Sequence, residues 1–325
     1  MGLLSMITGQ GKIIRLFEEA AGVLLADKHR KGDIVSLPPQ GDLILTGDIH
    51  GNLANYEEIV NRAALDTNPQ RHLVLHELIH DFCNRGRDFS YEILQEAAKL
   101  KIAHPDQVHI FLGNHELAEL EGEAIRKDGR TIPLVFSESR MKSLGGIGGE
   151  IREAAKKFFL ALPVGLKTPA NVWFSHSTPA KAMHQFNLGL MEKAISPKST
   201  SVITRGDAML KAQVIKDLVW GRDHSVGSAA TFAGKVGCDV LVVGHEFAVD
   251  GILAPNTRHL ILDSTRENAC ILHLKLDQRY THRQCLERVQ YLKPTPEFTP
   301  EKLKALKLGL LQKLYPAAPA RPKTA

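Results

Sequence analysis

The fold of this chain is decided by residues 43–52, which read Leu-Ile-Leu-Thr-Gly-Asp-Ile-His-Gly-Asn. A short apolar run that ends at a glycine and polar residues is typical of a buried β-strand followed by a turn. Asp48 and His50 are alternate residues just past the end of this run, so both side chains can reach one point through the turn. The motif therefore predicts a strand that delivers two metal-type ligands to the edge of a sheet.

Four further apolar runs lead into polar residues of the same kinds. They are 73–79 (interrupted by His76-Glu77) before His80-Asp81, 108–112 before Gly113-Asn114-His115, 172–174 before Ser175-His176, and 240–243 before Gly244-His245. In open α/β sheets, ligands collect beyond the carboxyl ends of the strands. The repetition predicts an α/β protein in which carboxylate, amide and imidazole groups converge on one rim.

The candidate metal ligands are Asp48, His50, Asp81, Asn114, His176 and His245. This mixture of donors suits a pair of hard-to-borderline divalent ions. Two metals roughly 3.5–4 Å apart can clamp a phosphate and activate a water as nucleophile. Asp81, the acid at the end of the second run, is the natural bridge, and Glu77 is its alternative. Asp48 and His50 would bind the first metal, and Asn114, His176 and His245 would complete the second.

Other polar residues are candidates for the remaining steps. His115 follows Asn114 and can serve as general acid towards the leaving alkoxide. Arg85 offers a planar fork for two phosphate oxygens, with a surface ion pair as its alternative. Arg222 is a candidate for a second phosphate contact. Four histidines are interpreted as loop or packing residues rather than ligands: His76, His80, His224 and His259.

Taken in order, these motifs resemble a known family. Gly-Asp-Ile-His-Gly, Asp-x-x-Asn-Arg-Gly, Gly-Asn-His-Glu, Ser-His and Gly-His are similar to the calcineurin-like metallophosphoesterases, and most of all to the PPP-type serine/threonine phosphatases and their bacterial relatives. The match spans residues 43–263. The resemblance implies a two-sheet αββα sandwich, with mixed sheets flanked by helices. It also implies the same roles for the six ligands, for His115 as acid and for Arg85 on phosphate.

Two residues depart from the family pattern Gly-Asp-x-x-Asp-Arg-Gly. His80 replaces the glycine, and Asn84 replaces the aspartate that orients and charges the catalytic histidine in the family. An amide can accept a hydrogen bond from imidazole, but it cannot stabilise imidazolium as a carboxylate does. We therefore expect Asn84 to support His115 less effectively than an aspartate would.

Three parts are predicted along the chain. Residues 1–40 form a helical cap with an amphipathic helix over 13–27, for which a partner-binding role is the alternative. Residues 41–293 form the catalytic domain, with an irregular inserted loop over 120–150. Residues 294–325 form a linker, a short helix and a flexible tail rich in proline and alanine.

Within the catalytic domain, three crossover helices and two late strands are predicted. The helices cover 53–65, 91–101 and 151–160, consistent with parallel βαβ units. The strands cover 258–262 and 269–274 and would extend a second sheet.

The composition of the 325 residues fits an ordinary enzyme. The chain is 43% hydrophobic, which is enough for a sizeable core, and its net charge of +5 is scattered without a basic run interleaved with aromatics. We therefore expect no nucleic-acid partner. No apolar stretch has the length of a membrane span, and no signal peptide is predicted. The four cysteines lack metal-knuckle or redox spacing, which favours free thiols and a cytoplasmic location.

The predicted function is hydrolysis of phosphomonoesters by attack of a metal-bound hydroxide, with Mn, Fe or Zn as the two cofactor ions. The expected partner is a phosphorylated substrate: a small phosphoester or a phosphoprotein, with phosphoserine or phosphothreonine first. A dinucleoside polyphosphate hydrolase is one alternative. A catalytically weakened scaffold that binds metal and phosphate is the other, and His80 and Asn84 are the residues that keep it open.

Overall fold

The protein is known from a computed structural model, which describes residues 3–81, 83, 88–127, 129–143, 147–180, 183–193 and 205–316. Its strands form two large sheets and one hairpin. The first sheet contains, in spatial order, β1 (Arg30–Lys31), β2 (Ile34–Ser36), β8 (Gly165–Lys167), β9 (Val172–Ser175), β10 (Val240–Val243), β12 (His259–Leu262) and β11 (Ile252–Leu253). The second contains β14 (Val289–Tyr291), β13 (Cys270–Lys275), β3 (Asp42–Thr46), β4 (Arg71–His76) and β5 (Val108–Phe111). The hairpin pairs β6 (Ile125–Lys127) with β7 (Arg130–Ile132).

Helices cover the outer faces of these sheets. They are α1 (Leu3–Leu25), α2 (Leu53–Ala63), α3 (Ser90–Ala103), α4 (Asn114–Glu121), α5 (Glu138–Ser143), α6 (Gly148–Leu160), α7 (Leu188–Met191), α8 (Arg205–Trp220), α9 (Val226–Val236), α10 (His282–Arg288) and α11 (Pro300–Leu314). Among the described helices, none combines the length and apolarity that crossing a membrane requires.

Strand alternation explains how one chain forms two apolar layers. Successive side chains of a strand point to opposite faces of its sheet. In β3, Leu43 and Leu45 join the core between the two sheets, whereas Ile44 joins the core under the helices. In β10, Val242 joins the core between the two sheets, and Leu241 joins the core under the helices. Two sheets packed face to face with helices outside are the mixed α/β sandwich predicted from the sequence, and that prediction is confirmed.

The strand directions bring the predicted ligands to two neighbouring edges. In the second sheet β3, β4 and β5 are parallel neighbours. In the first sheet β9 and β10 are parallel neighbours. The carboxyl ends of all five strands carry the polar motifs, so the ligand residues approach from both sheets.

Several predicted elements differ from the structure. The first helix is longer than the predicted 13–27 and ends at Leu25, because the Asp27 carboxylate instead accepts a hydrogen bond from the His29 backbone. The late strands belong to different sheets: β12 lies parallel to β10, and β13 lies antiparallel to β3. The inserted loop contains the β6–β7 hairpin and α5 rather than irregular chain only.

The third predicted crossover helix makes a different connection from the one expected. It corresponds to α6, which leads from the second sheet to the first rather than between parallel neighbours. β8, the strand after α6, pairs with β9 in an antiparallel direction. The tail beyond residue 316 lies outside the described residues.

Candidate metal centre

The turn after β3 carries Asp48 and His50 at the carboxyl edge of the second sheet. The backbone N–H groups of Ile49 and His50 donate to the carbonyl oxygen of Glu77 at 3.0 and 2.8 Å. The His50 Nδ1 lies 3.0 Å from the carbonyl oxygen of Ile79. Because a carbonyl only accepts, Nδ1 carries the proton. The His50 Nε2 then keeps its lone pair and lies 3.6 Å from Asp48 Oδ2.

Three further predicted ligands meet in one buried group. Asn114 Oδ1 lies 2.8 Å from His176 Nε2 and 2.9 Å from His245 Nδ1. The two imidazole nitrogens are 3.0 Å apart. The structure thus brings together side chains from α4 and from the ends of β9 and β10, which are separated by up to 131 positions in sequence.

A buried carboxylate, Glu77, lies between this group and His50. Its Oε2 is 3.2 Å from His176 Nε2, and its Oε1 is 3.7 Å from His115 Nδ1. The ligating atoms of Glu77, His50 and His115 lie within 4.8 Å of one another. Glu77 Oε2 has no hydrogen-bond donor among the described residues, and burial raises the pKa of this carboxyl well above its ordinary value. A buried anionic oxygen without a partner is costly, so the position favours a cation.

The predicted bridge is Asp81. Its Oδ1 accepts a hydrogen bond from the Cys83 backbone at 2.8 Å, and Asp81 belongs to neither group of three donors found among the described residues. β4 ends at His76, and residues 78–79 beyond it are buried. Glu77 is therefore the acid that directly follows the strand. The other ligands also follow their strands closely, and this signal could have identified Glu77.

His76, interpreted from the sequence as a loop or packing residue, contacts a ligand candidate. Its Nε2 lies 3.1 Å from the Thr46 carbonyl oxygen, so Nε2 is the protonated nitrogen. The His76 Nδ1 then accepts a hydrogen bond from His176 Nδ1 at 3.2 Å. This leaves the lone pair of His176 on Nε2, the atom that faces the other donors. Asp48, His76 and His176 also form the second group of three donors within 4.8 Å.

The protonation of the site histidines fits metal binding. Burial lowers the pKa of His176 well below its ordinary value and lowers the pKa of His245 to about 3. Histidine binds metals as the neutral imidazole. The donor set of carboxylate, amide oxygen and neutral imidazole is one that Mn, Fe and Zn accept.

The first turn of α4 positions His115. The His115 backbone N–H donates to Glu77 Oε1 at 3.0 Å. Glu116 accepts from the backbone N–H groups of Leu78 at 2.9 Å and Gly113 at 3.2 Å, which ties the start of the helix to the turn after β4. The His115 side chain is buried at the same edge as the ligands.

Two arginines border the donors. A cavity of about 20 Å³ is lined by Asp48, His50, His245, Glu246, Phe247, Asp263, Thr265 and Arg266. Arg266, which the sequence analysis missed, lies over the Phe247 ring at 4.4 Å. The predicted Arg222 is 2.7 Å from Glu246 Oε2 and lines a larger open groove of about 750 Å³ beside this cavity. Asn84 and Arg85, predicted to support the acid and to bind phosphate, lie outside the described residues.

A family model described as calcineurin-like phosphoesterase matches residues 42–247, well over half of the chain. The chain belongs to this family. The match covers β3 to the segment after β10 and so includes every element that supplies a donor. This match confirms the predicted family.

Relatives of this calcineurin-like phosphoesterase include a probable serine/threonine-protein phosphatase of Encephalitozoon cuniculi. It is 23% identical over 252 residues, which cover 73% of the chain and 48% of the relative. The chain therefore spans about half the length of that curated relative.

Two solved structures share the fold. A serine/threonine phosphatase from Saccharomyces cerevisiae has a TM-score of 0.56 at 14% identity, covering 81% of the chain and 82% of its own. A cold-active protein-tyrosine phosphatase from a psychrophilic Shewanella species has a TM-score of 0.51 at 16% identity, and the match covers 77% of this chain and 79% of that phosphatase. At such identities the likeness concerns the fold alone.

Proposed function

We propose that this chain hydrolyses phosphomonoesters with two divalent cations at the donor groups described above. Asp48 and His50 would hold the first cation, and Asn114, His176 and His245 the second. Glu77, instead of Asp81, would bridge them. The supporting observation is the buried Glu77 carboxylate, which has one oxygen beside His176 and the other on the side of His115.

The cations would neutralise phosphate charge and generate the nucleophile from water at neutral pH. The chain's own groups supply the other requirements. His115 donates a proton to the leaving alkoxide. Arg222 and Arg266 contribute positive charge at the mouth of the site, and Arg85 remains a predicted phosphate ligand. Mn, Fe and Zn are the metals proposed.

Phosphoserine and phosphothreonine in proteins are the first substrates to test. The serine/threonine phosphatase named among the curated relatives supports this choice, as does the open groove of about 750 Å³ lined by Arg222. Diadenosine polyphosphates are the second class. We propose a cytoplasmic location, on the basis of the free thiols at Cys83, Cys238, Cys270 and Cys285.

The bridge assignment can be tested by a matched pair of variants. Glu77→Gln and Asp81→Asn each replace one carboxylate by its amide. Metal-stripped protein is assayed with para-nitrophenyl phosphate after Mn²⁺ is restored, and bound Mn²⁺ is counted. We expect Glu77→Gln to lower turnover on the order of 10²-fold or more and to lose bound metal, while Asp81→Asn stays near wild type. If Asp81→Asn instead loses turnover and bound metal while Glu77→Gln stays near wild type, Asp81 is the bridging ligand.

The same assay separates an enzyme from a scaffold. Asp48→Asn serves as the control that removes a ligand without touching the bridge. Metal-dependent turnover that Asp48→Asn abolishes supports the phosphatase, and phosphopeptides and diadenosine polyphosphates are then compared as substrates. Stoichiometric Mn²⁺ without turnover in wild type would favour the weakened scaffold instead.

A further inference from the structure

A fully buried histidine outside the proposed ligand set contacts the proposed acid. The Nδ1 atoms of His80 and His115 are 2.9 Å apart, and His80 Nε2 lies 2.9 Å from Glu119 Oε1. His80 has no exposed surface, and the side chain of Glu119 is 3% exposed. The three side chains therefore form a continuous buried series that begins at the active site.

The protons in this series can be assigned from the acceptors. The Glu119 carboxylate also accepts from the backbone N–H groups of Val135 and Phe136, so it acts as an acceptor throughout. His80 must then donate from Nε2 and keep the lone pair on Nδ1. The protonated Nδ1 of His115 then donates a hydrogen bond to the lone pair on His80 Nδ1. Under the proposed function, Nε2 of His115 is the nitrogen that exchanges a proton with the substrate.

The backbone holds His80 in this place. His115 and Glu119 are four residues apart in α4 and lie on the same face of the helix. His80 inserts its ring between them from the turn after β4. Its backbone is left-handed, with φ 66°, and its N–H donates to Ser90 Oγ at 2.7 Å. A non-glycine residue adopts this conformation only when its surroundings hold it there.

We propose that His80 and Glu119 are positioning residues for His115. They set its tautomer and ring orientation, and the Glu119 charge compensates, through His80, the imidazolium that donates the proton. This inference rests on the proposed phosphatase function. It replaces the interpretation of His80 as a loop or packing residue, since its ring is in direct contact with His115.

The first test measures the bond between the two rings without any turnover. Long-range ¹H–¹⁵N NMR of the histidine rings in the metal-free protein distinguishes the two neutral tautomers. We expect His115 protonated at Nδ1 and His80 at Nε2, with His115 losing its single tautomer in His80→Leu. His115 protonated at Nε2 alone in wild type would overturn the proposal, whether or not the protein is an enzyme.

The second test uses the dependence of the rate on the leaving group. A general acid matters for a poor leaving group such as phenolate and hardly at all for 2,4-dinitrophenolate. General acid catalysis contributes on the order of 10²–10⁴-fold. We therefore expect His80→Leu to lower kcat on phenyl phosphate about 10²-fold, with a much smaller loss on 2,4-dinitrophenyl phosphate and unchanged Mn²⁺ stoichiometry.

Three controls keep this test specific. His80→Asn retains a polar group near the Nδ1 position and should recover part of the lost rate on phenyl phosphate. Glu119→Gln retains an acceptor without the charge and should show an intermediate loss. His282→Leu removes a different buried histidine, one that bonds the Tyr315 hydroxyl, and should lower both substrates' rates equally, if at all.

The outcomes separate the two proposals. If His80→Leu lowers kcat equally on both substrates, His80 has a general packing role. If the variant loses bound Mn²⁺, His80 belongs to the metal site. Either result would overturn the positioning role. Absence of turnover in wild type would contradict the proposed function, and the NMR result would then decide the His80 contact alone.

Discussion

At the scale of single residues, the site depends on a few buried imidazoles whose partners are other imidazoles. His76 supports His176, and His80 supports His115, in each case through two Nδ1 atoms about 3 Å apart. Neutral histidines can serve as acceptors of this kind only where burial keeps them unprotonated, and burial lowers the pKa of His76. The last residue of β4 therefore supplies a ring to His176, a proposed ligand, and the turn after β4 supplies one to His115, the proposed acid.

Replacing His76 tests the first of these contacts. In His76→Leu, His176 loses the partner that fixes its tautomer, and loss of such a partner typically weakens metal affinity 10–100-fold. We expect this weakening in a Mn²⁺ titration followed by calorimetry. The control His282→Leu should bind Mn²⁺ as wild type does, and an unchanged affinity in His76→Leu would show that His176 needs no partner.

Glycine is required at the end of β10. A Cβ on Gly244 would overlap Asp48 Oδ1 and His76 Cε1, whereas a Cβ on Gly234, inside α9, meets nothing within 4 Å. We expect Gly244→Ala to abolish Mn²⁺-dependent turnover. Gly234→Ala should keep turnover and raise the free energy of unfolding by about 0.5–1 kcal/mol, because alanine loses less entropy in a helix. Equal behaviour of the two variants in turnover and urea unfolding would contradict this account.

At the scale of elements, the segment just after α1 is attached to α3 by a buried ion pair. Lys101 Nζ lies 2.8 Å from Asp27 Oδ2, and the two side chains are 0% and 3% exposed. Burial alone would raise the pKa of Asp27, but its contacts with His109 and Lys101 lower it below the ordinary value. Phe17 of α1 packs on Phe158 of α6 at 5.7 Å between ring centroids, so the helix is held by both charge and apolar contact.

Removing the Asp27 charge should destabilise the fold. Asp27→Asn leaves Lys101 buried without a counter-ion, and breaking a buried pair in this way costs about 3–5 kcal/mol. Urea unfolding at pH 7 measures the loss. The matched control is Asp106→Asn, which breaks the pair between Lys28 and Asp106, whose side chains are 61% and 50% exposed, and should cost less than about 1 kcal/mol.

The same pair predicts a dependence of stability on pH. The pKa of Asp27 is lower in the folded protein than in the unfolded chain, where it is about 3.9. Its contribution is therefore fully present above the unfolded pKa and is lost as the pH falls towards the folded pKa. We expect wild type to lose more stability than Asp27→Asn between pH 6 and pH 3, and parallel pH profiles of the two proteins would contradict this.

At the scale of the whole molecule, the donors join the two sheets. Asp48 and Glu77 come from the second sheet, and His176 and His245 from the first. A ligand that binds only the folded state stabilises it by about 2.7 kcal/mol at 100 times its dissociation constant. Mn²⁺ should therefore raise the melting temperature of the metal-stripped protein, and Asp48→Asn should reduce the shift. Equal melting temperatures with Mn²⁺ and with a chelator would contradict a metal between the sheets.

Much of this architecture was predictable from local pattern. Short apolar runs that end at Gly, Asp, Asn or His mark both a buried strand and its functional end, because a buried strand needs apolar side chains and its end needs a turn. This pattern alone predicted the strands β3, β4, β5, β9 and β10 and the convergence of Asn114, His176 and His245 on one rim. The α/β sandwich was implied by resemblance, and the structure bears it out.

The rest was decided by tertiary contacts between distant segments. His76-Glu77 interrupts the apolar run, but residues 78–79 beyond it are as apolar as the strand and equally buried, so the local pattern alone leaves two possible ends for β4. The stop at His76 places Glu77 beside His176 and sets His80 against His115. The separation of β12 and β13 into different sheets likewise depends on pairing with β10 and β3. The sequence by itself therefore determined which kinds of groups reach the rim, and only the three-dimensional packing decided which of them touch.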